Sequence, residues 1–189
     1  MKPGTVLVTG GAGFIGSHTA DLLLAHGWAV RALDDLVPQV HGPARERPGY
    51  LNREVELIRG DVRDAETLRR ALVGVDAVLH LAARVGVGQS MYEIAEYVGS
   101  NNVGTAVLLE ALTRRRVDRL VVASSMSIYG EGLYRDARGR FHQEVERGRA
   151  ALQRGEWDVQ GQDGEPLTPV PTPESKRACL SSVYALTKY

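Results

Sequence analysis

The chain has 189 residues, 43% hydrophobic and 24% charged, an ordinary composition for a globular fold. Its 23 Lys plus Arg balance 23 Asp plus Glu, so it lacks the broad basic field of a nucleic-acid or anionic-membrane binder. One cysteine, Cys179, excludes an internal disulfide framework and points to a reducing cytoplasm.

The Met1-Lys2-Pro3-Gly4 start has no apolar run behind its single charge, so no targeting segment is expected. Residues 3–20 carry no charge, but Gly4, Gly10, Gly11, Gly13 and Gly16 interrupt them too often for a membrane helix. Residues 5–9 are apolar and β-branched and predict a buried strand closed by glycines. Residues 14–26, with Ile15, Leu22, Leu23 and Leu24 before Gly27, predict a helix with a glycine stop. A second strand is expected over 29–33, ahead of Asp34 and Asp35. The stretch 37–53, with Pro38, Pro43, Pro48 and Gly49, reads as loop. A third strand over 55–58, a short helix over 64–72 and a fourth strand over 75–81 follow. Residues 90–116 read as mostly helical, with Val107, Leu108, Leu109 and Leu112 on one stripe, and 120–123 as a fifth strand.

This alternation implies an α/β fold: a parallel sheet, doubly wound through right-handed crossovers and covered on both faces. From Gly130 to Ser182 the texture changes, with Pro166, Pro169, Pro171 and Pro173 and frequent Gly and charge. Residues 141–154 can form a short amphipathic helix; the rest reads as a loop well beyond ~15 residues, a length usual for functional or disordered segments.

The run from Thr9 to Gly16 carries chemistry. Gly10, Gly13 and Gly16 follow a strand and open a helix. Glycine permits the tight turn and lets backbone approach a pyrophosphate, while the helix N-terminus offers free N–H groups. Asp34, ending the second strand, can accept hydrogen bonds from both adenosine ribose hydroxyls and would repel a 2′-phosphate, which favours NAD over NADP. Asp35 reads as a solvated acid or helix cap. Asp61 either borders the adenine or caps the next helix. Leu81-Ala82-Ala83 ends the fourth strand with side chains small enough to leave room for a cofactor, and His80 reads as a satisfied strand histidine. The five histidines show no metal-ligand spacing, so no metal is expected.

Tyr184 and Lys188 stand four apart, on one face of a helix. A free phenol, with pKa ~10, is a poor base at neutral pH. A neighbouring ammonium and a cationic nicotinamide favour its phenolate, which can then take a proton from a substrate hydroxyl. Ser125, at the exit of the fifth strand, can align that hydroxyl or simply form a turn. Cys179 reads as an incidental small residue.

Taken together, these blocks resemble the extended short-chain dehydrogenase/reductase family, in its NAD-dependent sugar epimerase/dehydratase branch. They are Val8 to His18, Leu33-Asp34-Asp35, Gly60-Asp61-Val62, His80 to Ala83, Asn101 to Thr105, Ser124 to Gly130, and Tyr184 to Lys188. The resemblance implies a Rossmann core with a catalytic set of Ser125, Tyr184 and Lys188. It places NAD on Gly10, Gly13, Phe14, Ile15, Gly16, Asp34, Asp61, Val62, Leu81, Ala82 and Ala83, on Asn101 near the nicotinamide, and on Tyr184 and Lys188. Where this branch's dehydratases carry adjacent acids after the Ser/Thr position, Met126 and Ser127 stand here. That favours epimerisation of a nucleotide-diphosphate sugar (dTDP- or UDP-linked) at C4, through a transient 4-keto sugar. The blocks Arg84 to Met91 and Ser127 to Gly132 are similar to dTDP-rhamnose 4-epimerases.

The expected organisation is a Rossmann core over 1–130, an insertion over 131–182 longer than is usual in the family, and the start of the Tyr/Lys helix over 183–189. Family members run on past this point into a substrate domain and form homodimers, so the chain resembles an N-terminal portion. Two other readings stay open: an NAD-binding fragment without turnover, and a sugar-nucleotide dehydrogenase or reductase of the same branch.

Overall fold

The structure, a computed structural model, describes residues 3–189. The reading of the Met1-Lys2 start lies outside the described residues. The chain divides into two compact units, Met1–Ala123 and Ser124–Tyr189.

The first unit runs β1 (Thr5–Thr9), α1 (Phe14–Ala25), β2 (Ala29–Asp34), α2 (Pro38–His41), β3 (Glu56–Arg59), α3 (Ala65–Ala71), β4 (Ala77–His80), α4 (Val87–Ser90), α5 (Ile94–Tyr97), a π-helical segment (Val98–Val103), α6 (Gly104–Arg114) and β5 (Arg119–Val122). Its five strands are parallel in the order β3-β2-β1-β4-β5. Successive side chains of a strand face opposite ways, and β1 divides accordingly. Val6 and Val8 join Ala20, Val30 and Ala32 in the core that includes α1, while Leu7 joins Leu33, Leu68 and Leu108 in the core that includes α3 and α6. The expected doubly wound architecture is the one observed.

Several elements differ from expectation. The loop over 37–53 contains the four-residue α2, opened by Pro38, a residue suited to a first helical turn. The helical stretch over 90–116 is broken after α4 and widened into π winding before α6. Cover on the α1 side is incomplete: Val121 of β5 is 56% exposed and lines an open apolar groove with Val6, Leu23, Trp28, Ala77 and Leu79.

The second unit runs through a 3₁₀ turn (Met126–Tyr129), β6 (Leu133–Arg135), β7 (Phe141–His142), α7 (Arg149–Gln153), β8 (Thr168–Val170) and α8 (Val183–Lys188). The segment expected to be mostly loop therefore folds as an antiparallel sheet in the order β7-β6-β8, over a core of Tyr134, Val145, Val159 and Leu167. Pro169 is accommodated because β8 is an edge strand. The helix expected over 141–154 shrinks to α7, since Phe141 and His142 pair with Arg135 and Tyr134 instead. No helix among the described residues is long and apolar enough to cross a membrane.

Leu7→Ala should cost about 2–5 kcal/mol in urea-denaturation stability, because Leu7 is fully buried between sheet and helices. Phe14→Ala, at a side chain 79% exposed, should change it by less than about 0.5 kcal/mol.

Candidate functional site

The strand order reverses between β1 and β4, and parallel sheets bind ligands beyond the carboxyl ends at such a point. There β1 turns directly into α1. Gly10 sits at φ +68°, in the left-handed region that favours glycine. A Cβ on it would stand 2.8 Å from the Ala82 nitrogen, and a Cβ on Gly16 would overlap the Gly10 carbonyl oxygen. The three glycines thus let backbone lie against backbone. Gly13 N-caps α1 without a side-chain hydrogen bond, and the first turn holds no acid. Its N–H groups and positive dipole end are suited to an anion. Phe14 and Ile15 leave their side chains exposed at this end.

Asp34 is buried at the end of β2. Its Oδ2 accepts the Ala12 N–H at 3.0 Å and its Oδ1 the Leu36 N–H at 2.9 Å, which ties the glycine turn to β2. A carboxylate has about four acceptor positions, so capacity remains for hydroxyl donors. Tyr50, absent from the expected site, donates its hydroxyl to the Ala12 carbonyl at 2.8 Å from the far side of the turn. Burial and the Asp34 charge push the Tyr50 phenol up.

Asp35 is neither a fully solvated acid nor a cap, since Val37 N-caps α2. Burial, then the charges of Asp34 and Asp61, push its carboxyl up, with Arg84 and Arg45 opposing. The capping alternative for Asp61 also falls. Asp64 caps α3 through the Glu66 N–H, whereas Asp61 takes the Arg63 guanidinium at 2.7–3.1 Å. Burial alone would raise the Asp61 carboxyl; the Arg63 hydrogen bonds and charge outweigh it and hold it low. Val62 buries its side chain in the α3–α6 core, which leaves its backbone for any ligand.

Beyond β4, Leu81, Ala82 and Ala83 border the glycine turn, and the Ala82 N–H donates to Thr9 Oγ1 at 3.2 Å. Thr9 Oγ1 meets His80 Nδ1 at 2.7 Å, and His80 Nε2 meets Thr105 Oγ1 at 3.0 Å. The Thr105 hydroxyl donates to the Asn101 carbonyl at 2.5 Å. The direction of the Thr105 bond leaves its oxygen to accept a proton carried on His80 Nε2. His80 is a structural link, as expected. Asn101 lies in the π-helical segment, and its side-chain amide accepts the Arg84 N–H at 2.8 Å and donates to the Arg84 carbonyl at 3.1 Å. It therefore holds the loop after β4. The His80–Thr105 and Asn101–Arg84 links went unread in the sequence, because they join residues 25 and 17 positions apart.

In the second unit, Ser125 caps the 3₁₀ turn by accepting the Ser127 N–H at 3.1 Å. Tyr184 and Lys188 share α8, which Ser182 caps through the Ala185 N–H and which packs against that turn. The Ser124 hydroxyl donates to the Lys188 carbonyl at 2.9 Å. Burial pushes the Lys188 ammonium down. Cys179 packs against Gly130, and its N–H donates to the Ile128 carbonyl at 2.8 Å. Ligating atoms of Asp136, His142 and Glu165 converge within 4.8 Å. The Arg140 guanidinium already meets Asp136 at 2.7 Å and compensates its charge.

The model of the NAD dependent epimerase/dehydratase family matches residues 6–145. A dTDP-L-rhamnose 4-epimerase of Burkholderia thailandensis is 36% identical over 188 residues, 97% of this chain and 50% of that protein. A UDP-glucose 4-epimerase of Drosophila melanogaster is 39% identical over 140 residues, 69% of this chain and 40% of that protein. Among solved structures, the UDP-glucose 4-epimerase of Thermotoga maritima with UDP-glucose is similar at TM-score 0.71 and 28% identity, covering 98% of this chain and 48% of that one. The Thermus thermophilus UDP-glucose 4-epimerase in complex with NAD gives TM-score 0.68 and 30% identity, with 97% and 47% coverage. The chain spans about half the length of the relatives it matches.

One prediction concerns Asp136. Burial would raise its carboxyl, but the Arg140 N–H and guanidinium and His142 hold it well below the ordinary 3.8. A folded value below the unfolded one adds stability above pH 3.8 and loses it as pH falls. Asp136→Asn should therefore lower the melting temperature at neutral pH, and its deficit against wild type should shrink in melts taken progressively below pH 3.8.

Proposed function

Because this chain belongs to the NAD-dependent epimerase/dehydratase family, we propose that it serves a nucleotide-sugar 4-epimerase that keeps NAD bound. The observation that carries this is the glycine turn, where a Cβ on Gly10 or Gly16 would press into backbone while no side chain caps the first turn of α1. A dinucleotide's diphosphate fits the N–H groups of Phe14, Ile15 and Gly16, while Gly13 shapes the turn by donating its own N–H to the Gly10 carbonyl at 3.2 Å. The Asp34 carboxylate takes the adenosine ribose hydroxyls, the Asp61-Val62 backbone borders the adenine, and Leu81, Ala82 and Ala83 line the remainder. Asn101 acts through the Arg84 loop it holds.

When bound, NAD supplies a reversible two-electron oxidation of the sugar's C4 carbinol to the keto level, with no net redox change. Tyr184, as phenolate, takes the proton of the 4-hydroxyl and returns it after the keto sugar has turned over. Ser125 aligns that hydroxyl. Lys188 favours the phenolate by its charge and holds the nicotinamide ribose. Met126 and Ser127 offer no acid or base to expel water, which supports epimerisation over dehydration. A dTDP-linked deoxyhexose is the preferred substrate class, because the alignment with the Burkholderia protein covers 97% of this chain and that with the Drosophila UDP-glucose 4-epimerase 69%. A homodimer is the assembly that the family resemblance implies. The lone Cys179 suits a cytoplasmic setting.

In calorimetry the chain should bind NAD and discriminate against NADP. Asp34→Ala should weaken NAD roughly tenfold or more and narrow that discrimination, since hydrogen bonds to a charged group contribute about 1.5–3 kcal/mol. No heat with NAD would overturn the cofactor reading.

Tyr184→Phe should leave NAD bound and lower conversion of dTDP- and UDP-hexoses at least ~100-fold, the scale of general-base catalysis. Bound NAD without conversion by the unmutated chain would leave a binding module. Stoichiometric consumption of NADH would indicate a reductase.

A further inference from the structure

His41 closes α2, a single turn whose other members, Pro38, Gln39 and Val40, are exposed. Its imidazole side chain is only 3% exposed. Nδ1 is buried with no hydrogen-bond partner among the described residues. An unpaired buried nitrogen is unfavourable, so the ring is not held there by bonds of its own. Its other nitrogen, Nε2, lies 3.6 Å from Asp34 Oδ1, a little beyond hydrogen-bond length.

The loop around it is strained in the same place. Leu36 stands at φ +52°, uncommon for a residue with a Cβ, and its N–H reaches Asp34 Oδ1 at 2.9 Å. Arg45, also at φ +52°, pins the loop by donating to the carbonyls of Leu36 at 3.2 Å and Asp35 at 2.6 Å. Backbone strain at Leu36 and a buried ring, with Nδ1 unpartnered and Nε2 facing Oδ1, flank one carboxylate. Such features concentrate where a structure is held ready for a ligand.

We propose that His41 is a positioning residue that fixes the Asp34 carboxylate for the vicinal diol of an adenosine ribose, and so sets selectivity between NAD and NADP. This rests on the NAD reading of the glycine turn. With its proton on Nε2, the imidazole presents an N–H toward Oδ1 at 3.6 Å, close enough to act through its dipole without a hydrogen bond. Asp34 already accepts two backbone N–H groups, and the buried ring closes off the Oδ1 side, so the remaining lone pairs are open only toward two ribose hydroxyls. The same fixed charge repels a 2′-phosphate. Without the ring, Asp34 keeps its two backbone bonds but loses the neighbour on its Oδ1 side, and it distinguishes diol from phosphate less sharply.

The test is calorimetric titration of the whole chain and its variants with NAD and with NADP. His41→Phe keeps a ring of similar size and removes both nitrogens; His41→Gln restores an N–H at the reach of Nε2. His41→Phe should weaken NAD roughly tenfold and narrow the NAD-over-NADP ratio by a similar factor, with His41→Gln recovering most of both. Equal weakening of both cofactors, with the ratio unmoved, would mark a packing role and overturn the proposal. So would unchanged NAD affinity in His41→Phe, while failure of the unmutated chain to bind NAD would overturn the cofactor reading along with it. If His41→Phe does not fold, the ratio is read on His41→Asn, whose amide is too short to reach Oδ1; an unmoved ratio there has the same force.

Discussion

At the carboxyl end of β1, backbone must pass against backbone with no side chain between. Gly10 lies against Ala82, and Gly16 lies against Gly10 itself. Only that contact lets α1 start immediately beyond the sheet and direct its uncapped N–H groups at the switch point between β1 and β4. The neighbouring sheet exits are built around it. Asp34 holds the turn from β2 through the Ala12 N–H, and Tyr50 holds the same residue by its carbonyl. A turn so tied has little conformational freedom left to lose when an anion arrives, which is the physical meaning of preorganisation.

Polar links make the β4 side equally rigid. Thr9, His80 and Thr105 join β1, β4 and α6, and Asn101 holds the Arg84 backbone. Around them Asp34, Asp35 and Asp61 face Arg45, Arg63 and Arg84. Burial comes first in raising the Asp35 carboxyl, with the charges on Asp34 and Asp61 adding to it and those on Arg84 and Arg45 opposing it.

The second unit rests on a different economy of structure. Its proton-transfer candidates sit on a six-residue helix that propensity alone would not sustain. A Ser182 cap, packing on the 3₁₀ turn and the Ser124 bond to the Lys188 carbonyl hold it. The three-stranded sheet that precedes it depends on pairing between Leu133 and Val170, and on contacts of Tyr134 with Val145, Val159 and Leu167.

Amino-acid order alone determined the five parallel strands, the glycine turn and the acid ending β2. Each is written in a short local pattern: an apolar run, a glycine spacing, a residue at a strand's end. The pairing of Tyr184 with Lys188 on one helical face was legible for the same reason. Only tertiary structure decided that Asp61 serves Arg63 rather than α3, that Asn101 holds a loop, that the 131–182 segment forms a sheet, and that His41 and Tyr50 gather around the Asp34 turn. Those outcomes depend on which distant groups become neighbours once the cores close, and burial then settles which polar atoms find partners and which, like His41 Nδ1, do not.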